Sequence, residues 1–195
     1  MTAHPPPHPP LRPIEIEGRI RRSQAPLRNL TGRAEPESPG GRVVTQLAPK
    51  LGKGLTVLIV GPRGTGKTQV GVELIRAAAA LPGTREPSYR RAMHLFMERR
   101  DAMRSGGSEL AILKAHASAS LLVIDEVHDR GETRAEDVML HQLVIARHDE
   151  MLDTVLIGNG TPEDMLTALG DSIASRMTQA GGVIVLDGPS HRGRP

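Results

Sequence analysis

The chain has 195 residues, a length that suits one domain of ordinary size with a tail, or two very small ones. It contains no Cys, which excludes disulfides and thiolate metal sites. One Tyr, one Phe and no Trp mean that any core is aliphatic. The formal charge of +3 is unevenly placed: residues 1–50 carry eight Arg/Lys and four Asp/Glu, a net +4, and the rest carries 17 and 18, a net −1. A basic N-terminal arm is a hint of nucleic-acid contact, and a solvated tail fits the charge equally well.

From the N-terminus, "MTAHPPPHPPLRP" has no apolar run of secretory type. The longest apolar runs are of strand length, short of the ~20 residues that cross a membrane. A soluble, cytoplasmic protein with no membrane role is the expectation. Residues 1–40 are rich in Pro, Arg and Gly and are expected to form a mostly irregular arm. Within it, "IEIEGRI" (Ile14–Ile20) alternates apolar and polar positions and predicts a short strand.

Residues 41–195 carry the pattern of an α/β domain. "LTVLIV" (Leu55–Val60) is a continuous apolar run, as expected of a strand buried on both faces. "TQVGVELIRAAAAL" then predicts a helix ended by Pro82-Gly83. A weaker strand is expected near Tyr89, and "RAMHLFMERRDAM" has helical spacing, with its methionines read as core filler. "LLVIDE" (Leu121–Glu126) is a second buried strand. Thr133 and Glu136 form a capping box that opens a helix to about His148. "TVLIGN" (Thr154–Asn159) is a third strand. Thr161 as N-cap with Pro162 starts a helix that Gly170 stops, and "GGVIVLD" (Gly181–Asp187) is a last strand. Apolar strands alternating with helices predict a three-layer α/β/α fold around a mostly parallel sheet.

The chemistry lies at the strand ends. Gly61-Pro62-Arg63-Gly64-Thr65-Gly66-Lys67-Thr68 is the Walker A pattern of a P-loop NTPase, between a buried strand and a helix. Its glycines let backbone N–H groups turn inward onto phosphate oxygens, and the helix adds its positive end. Lys67 would reach the β- and γ-phosphates of ATP, and Thr68 would offer its hydroxyl to Mg²⁺. The Asp-Glu pair that ends "LLVIDE" supplies Asp125 for the Mg²⁺ shell and Glu126 to activate a water, the Walker B arrangement. Asn159, ending the third strand, suits a group that orients the water and feels the γ-phosphate; "GNGTP" is also a good turn. Arg176 reads either as a surface residue or as an arginine finger given to a neighbour's site. Base stacking on a single strand could use only Tyr89 and Phe96, so nucleic-acid contacts would rest on Arg, Lys and backbone amides.

Together, "GPRGTGKT", "LLVIDE", "LIGN" and "LGDSIASRM…GGVIVLDGPSHRGRP" resemble the DnaC/IstB branch of AAA+ ATPases. The C-terminal run is the most specific part: Gly170, the Arg176-Met177 pair, the strand Val183–Leu186, then Ser190-His191-Arg192. "APLR" (Ala25–Arg28) resembles the Pro-x-Arg element that precedes the core in this branch. The resemblance implies an oligomeric, ATP-hydrolysing helicase loader that engages single-stranded DNA and a replicative helicase. It further implies Asn159 as sensor 1, Arg176 as the finger and Arg192 as sensor 2. Transposition ATPases share this core, so a transposase is the alternative partner. Two departures stand out: only about 40 Pro-rich residues precede the core, and His191 stands where an aromatic is usual.

Other P-loop readings fit less well. "DEVH" (Asp125–His128) also matches the DExH box of two-domain helicases, but the residues after Glu126 are too few for a second motor domain. A small-molecule kinase would need a substrate lid, usually marked by Arg-rich insertions. A nucleotide-dependent scaffold that hardly hydrolyses ATP remains an alternative, against which the intact Glu126 weighs.

Overall fold

The computed structural model describes residues 10–129 and 134–188. Three helices come first: α1 (Pro13–Arg22), α2 (Leu27–Thr31) and α3 (Pro39–Leu47), the last followed by a 3₁₀ turn at Ala48–Lys50. The remaining elements are β1 (Thr56–Val60), α4 (Lys67–Ala79), β2 (Ser88–Arg91), α5 (Ala92–Arg104), α6 (Glu109–Ala117), β3 (Leu121–Asp125), α7 (Arg134–Asp149), β4 (Asp153–Ile157), α8 (Pro162–Leu169), α9 (Asp171–Ala180) and β5 (Gly181–Val185). All five strands pair in parallel, in the order β2-β3-β4-β1-β5. The strand that carries Asn159 at its exit therefore lies between those that carry the Walker A and Walker B residues.

The central strands are apolar throughout because both faces of the sheet are covered. Val57 and Ile59, Leu121 and Val123, and Val155 and Ile157 face one core, shared with Leu47 of α3 and Val70, Leu74 and Ile75 of α4. Leu58 and Val60, Leu122 and Ile124, and Leu156 face a second core under α5, α7, α8 and α9. Each fully buried aliphatic side chain contributes roughly 1.5–3 kcal/mol, so the two cores lock the pleat of each strand. That lock fixes which side the residues at the strand exits face. The expected helix starting at Thr161 forms as read: Thr161 Oγ1 accepts from the backbone N–H of Asp164 at 3.1 Å, and Gly170 follows its last residue. Thr133 lies outside the described residues, so the expected cap of α7 does too.

Residues 14–20 are helical, not a strand, and much of 1–40 is ordered rather than irregular. The Ile14/Ile16 alternation is too short to choose a period. Helix is favoured by Pro13 at the first position, by the Glu15 carboxylate on the Arg12 backbone N–H at 2.8 Å, and by Arg residues in the last turn. Ile16, Arg19, Ile20 and Ser23 then share one face, at i, i+3, i+4 and i+7. Arg19 is buried and donates to the carbonyls of Leu81 and Gly83, beyond the end of α4. The segment runs on along α4: Arg33 pairs with Glu73 at 3.2 Å, and Arg76 donates to the Leu30 carbonyl at 2.5 Å. α2, α3 and α6 had no counterpart among the expected elements. Ser38 caps α3, its Oγ accepting from Gly41 N–H at 3.0 Å, and Ser108 caps α6 in the same way.

One buried charge holds the second layer together. Arg147 of α7 is fully buried and donates to the carbonyls of Ala117 and Ala119, and to Thr154 Oγ1 on β4 at 3.0 Å. It thereby satisfies carbonyls left over where α6 ends.

Candidate functional site

The loop from Gly61 to Gly66 joins β1 to α4. Gly61 has φ +146°, and a Cβ there would lie 2.1 Å from the carbonyl oxygen of Leu186, so no side chain fits. Gly66 has φ +92° and turns the chain into α4, whose N-terminal N–H groups open onto the loop. Lys67 is buried, and its Nζ donates to the carbonyls of Gly61 at 2.7 Å and Pro62 at 2.6 Å. Thr65 Oγ1 donates to the Pro62 carbonyl at 3.0 Å.

Thr68, the second residue of α4, donates its hydroxyl to Asp125 Oδ2 at 2.7 Å. Asp125 ends β3 on the α4 side of the sheet, the side of Leu121 and Val123. Its Oδ2 also accepts from the Tyr89 hydroxyl at 2.5 Å, and its Oδ1 from the backbone N–H of Glu126 at 2.7 Å. Burial, and next the neighbouring Asp125 charge, push the Tyr89 hydroxyl above its ordinary range, so it stays protonated and donates. Glu126 takes φ +58°, a left-handed conformation that costs a non-Gly residue about 1–2 kcal/mol. Its carboxylate is half exposed and 3.5 Å from Arg91 Nε.

Asn159 meets His128 twice. Its backbone N–H donates to His128 Nδ1 at 3.2 Å, and its side-chain amide lies 2.8 Å from His128 Nε2. The side-chain atom in that contact is Asn159 Nδ2, so the donor and acceptor roles follow the tautomer of the ring. Burial is the largest influence on His128 and lowers its pKa, which keeps the ring neutral at pH 7.

These groups surround a cavity of about 510 Å³. Arg63, Gly64, Gly66, Lys67 and Thr68 line one side, and Asp125, Glu126, His128, Gly158 and Asn159 the other. The loop and the two carboxylates meet here, with Asn159 beside them, as the sequence predicts. Arg176 is not among the lining residues; it bonds to its own helix, donating to the Ser172 carbonyl at 3.0 Å and hydroxyl at 2.9 Å. Arg192 lies outside the described residues, with Ser190 and His191. Tyr89 and Phe96 are both buried in the cores, so neither ring is open to stack on a base.

The sequence also left wall residues unread. Pro26, Arg28 and Asn29 of the N-terminal segment line the cavity, held by reciprocal bonds between Asn29 and Gln69 of α4 at 3.0 and 3.1 Å. The "APLR" likeness was the signal that pointed there. Arg91 and His128 gave none, because their place depends on the register of β2 with β3 and on the turn after Glu126.

Thr68 and Asp125 present hard oxygen donors side by side, the donor type that suits Mg²⁺. Among the described residues no group of three or more His, Asp or Glu could hold a metal. An ion here would therefore lean on the phosphates of a nucleotide, as Mg²⁺ commonly does.

Residues 50–194 match the family model described as IstB-like ATP binding protein. The uncharacterized protein YdaV of Escherichia coli K12 is 31% identical over 63% of this chain and 48% of its own length. The replicative helicase loader DnaC of the same strain is 31% identical over 46% of this chain and 37% of its own. The match thus spans about half of YdaV and just over a third of DnaC. A putative ATP-binding protein in an insertion sequence of Mycobacterium tuberculosis, Rv3427c, is 26% identical over 90% of this chain and 73% of its own. The crystal structure of the DnaC helicase loader superposes with a TM-score of 0.67 at 16% identity, covering 87% of this chain and 99% of that one. DnaI gives 0.68 at 17%, covering 89% and 100%. At such identities these two likenesses speak to the fold alone. With the P-loop, the parallel sheet order and the family match over most of its length, the chain belongs to the IstB-like ATP-binding protein family, the IstB/DnaC-like branch of AAA+ domains.

Proposed function

We propose that this protein binds ATP with Mg²⁺ in the cavity over α4 and hydrolyses it, and that it works as a helicase-loader-like ATPase on single-stranded DNA. The observation that carries the enzymatic reading is the joining of Thr68 to Asp125, with Glu126 and Asn159 on the same cavity. The loop N–H groups and Lys67 bind and orient the phosphates. Glu126 takes a proton from the attacking water as it bonds to the γ-phosphorus, and the bond to the β,γ-bridging oxygen breaks to release ADP. Asn159, fixed beside the cavity by His128, offers its side-chain amide to a phosphate oxygen or to that water. Bound Mg²⁺ would supply charge neutralisation at the phosphates, held through Thr68 and Asp125.

Arg176 is absent from its own cavity wall, as a finger offered to a neighbouring subunit would be; in that role it would release Ser172, and a homo-oligomer would be the working form. Residues 1–40 are read as an arm and 41–195 as the ATPase domain, in a cytoplasmic setting. Among the described residues no helix is long and apolar enough to cross a membrane. Arg192 is retained as the candidate sensor 2.

The DNA role is tested by titrating a labelled oligonucleotide with ATP, with ADP and without nucleotide, across a salt series. With both aromatic rings buried, phosphate contacts dominate, and log affinity falls with log salt at about −0.7 per phosphate neutralised on single strands. ATP strengthens binding, and DNA strengthens ATP binding reciprocally. A second reading is favoured by one observation: the insertion-sequence relative Rv3427c aligns with 90% of this chain. In that reading the partner is a transposase rather than a replicative helicase. Nucleotide-independent or absent DNA binding, with tight binding to a transposase, would select it.

A further inference from the structure

We infer that Tyr89 is a positioning residue for the metal-side carboxylate: its hydroxyl holds Asp125 in the orientation that Thr68 and a bound Mg²⁺ require. The inference rests on the Mg²⁺-nucleotide reading of the cavity and adds a residue to it.

Tyr89 sits on the edge strand β2, opposite Val123 of β3 and two residues short of the register position of Asp125. Its ring fills the core beneath α4, and only 3% of the residue is exposed. Phenylalanine would serve that packing equally well. What tyrosine adds is one hydroxyl, and that hydroxyl donates to Asp125 Oδ2 at 2.5 Å. The same oxygen accepts from Thr68 at 2.7 Å, so Tyr89 and Thr68 fill its two lone-pair directions. The Glu126 N–H on Oδ1 fixes the remaining rotation of the carboxylate. Without Tyr89 the carboxylate keeps two restraints, both from groups that themselves belong to the loop-and-base machinery.

The backbone anchors this donor in turn. The Tyr89 N–H donates to the Ser23 carbonyl at 2.7 Å, which pins β2 against the segment that supplies Pro26, Arg28 and Asn29 to the cavity wall. The position of the hydroxyl is thus set from both sides of an otherwise free strand edge.

The test is Tyr89→Phe in the full chain, with Mg²⁺ titrated against a fluorescent ATP analogue. Loss of a partner that orients a metal ligand typically costs about 10–100-fold in metal affinity. The Mg²⁺ needed for half-maximal nucleotide binding is expected to rise about tenfold or more, with the far-UV spectrum unchanged. The chain has one tyrosine, so ¹³Cζ-tyrosine labelling gives a single NMR resonance from Tyr89. In the unsubstituted protein that resonance is expected to shift when Mg²⁺ is added to the nucleotide complex, and this measurement stands even if Tyr89→Phe fails to fold. An unchanged Mg²⁺ dependence in a folded Tyr89→Phe, or a resonance indifferent to Mg²⁺, would overturn the inference. Lys67→Ala separates the two layers. If it binds nucleotide normally, the reading of the cavity fails; if it loses nucleotide while Tyr89→Phe behaves like the parent, only the role of Tyr89 fails.

Discussion

Thr68 Oγ1 lies 2.7 Å from Asp125 Oδ2, although 57 positions separate them in the chain. The contact joins the first turn of α4 to the exit of β3, across the intervening strand β4. It exists because both residues face the α4 side of the sheet, and the alternation of the core-facing residues along β3 fixes that side.

Lys67→Ala removes a charge-assisted contact to phosphate, worth roughly 1.5–3 kcal/mol, or about ten- to hundredfold in ATP affinity. Because Lys67 also donates to two loop carbonyls, the nucleotide-free protein is expected to lose about 1 kcal/mol as well. Calorimetric binding and urea unfolding read the two effects separately. Asp125→Asn, by contrast, is expected to weaken binding only when Mg²⁺ is present.

Arg176→Ala is expected to bind ATP normally and to lose most turnover, since fingers contribute about 10³–10⁵ in rate. Mixing it with Lys67→Ala subunits should restore part of the activity, as some interfaces then pair an intact loop with an intact Arg. A mixture shown to co-assemble that recovers nothing at any ratio would place Arg176 outside a neighbour's site.

Arg147→Ala leaves the carbonyls of Ala117 and Ala119 and the hydroxyl of Thr154 without their buried donor. Removing one side of a buried charged network typically costs about 3–5 kcal/mol. Urea unfolding is expected to show a loss of that order, and a change below about 1 kcal/mol would contradict the structural role given to it.

Much of this was legible in the sequence, for physical reasons. Strands buried on both faces are continuous apolar runs, and a Gly-rich loop between strand and helix leaves few alternatives to phosphate binding. Ile14–Ile20 was misread because four apolar and polar alternations fit a strand as well as a helix end; what decides is Arg19, whose carbonyl partners lie 62 and 64 residues away. Tyr89, Arg91 and His128 were unreadable for a related reason. Each acquires its role from strand register or from a turn, and neither leaves a local pattern.

Acid should destabilise the fold in a defined window. Burial lowers the pKa of His116 against the smaller opposing pull of Glu98, whose carboxylate is 2.7 Å away, with Arg90 and Arg147 also facing it. A lowered folded value means that the unfolded chain binds more protons below about pH 6.5, the ordinary histidine range. Stability is therefore full above that pH and falls as pH drops from it toward the folded value. His128 adds in the same direction. The lowered carboxyls of Glu15 and Glu86 contribute only at more acid pH. Melting temperatures from pH 8 to 5 should decline, and His116→Gln should flatten the slope; an unchanged slope would remove His116 from this account.

Glu126→Gln tests the central claim most directly. It keeps the shape of the side chain and removes its basicity, so phosphate release from pre-bound ATP, followed in a single turnover, is expected to slow by about 10²–10⁴. ATP affinity is expected to stay near that of the parent. Turnover within a few-fold of the parent at equal ATP occupancy would show that Glu126 is not the base, and that the cavity does not work as described.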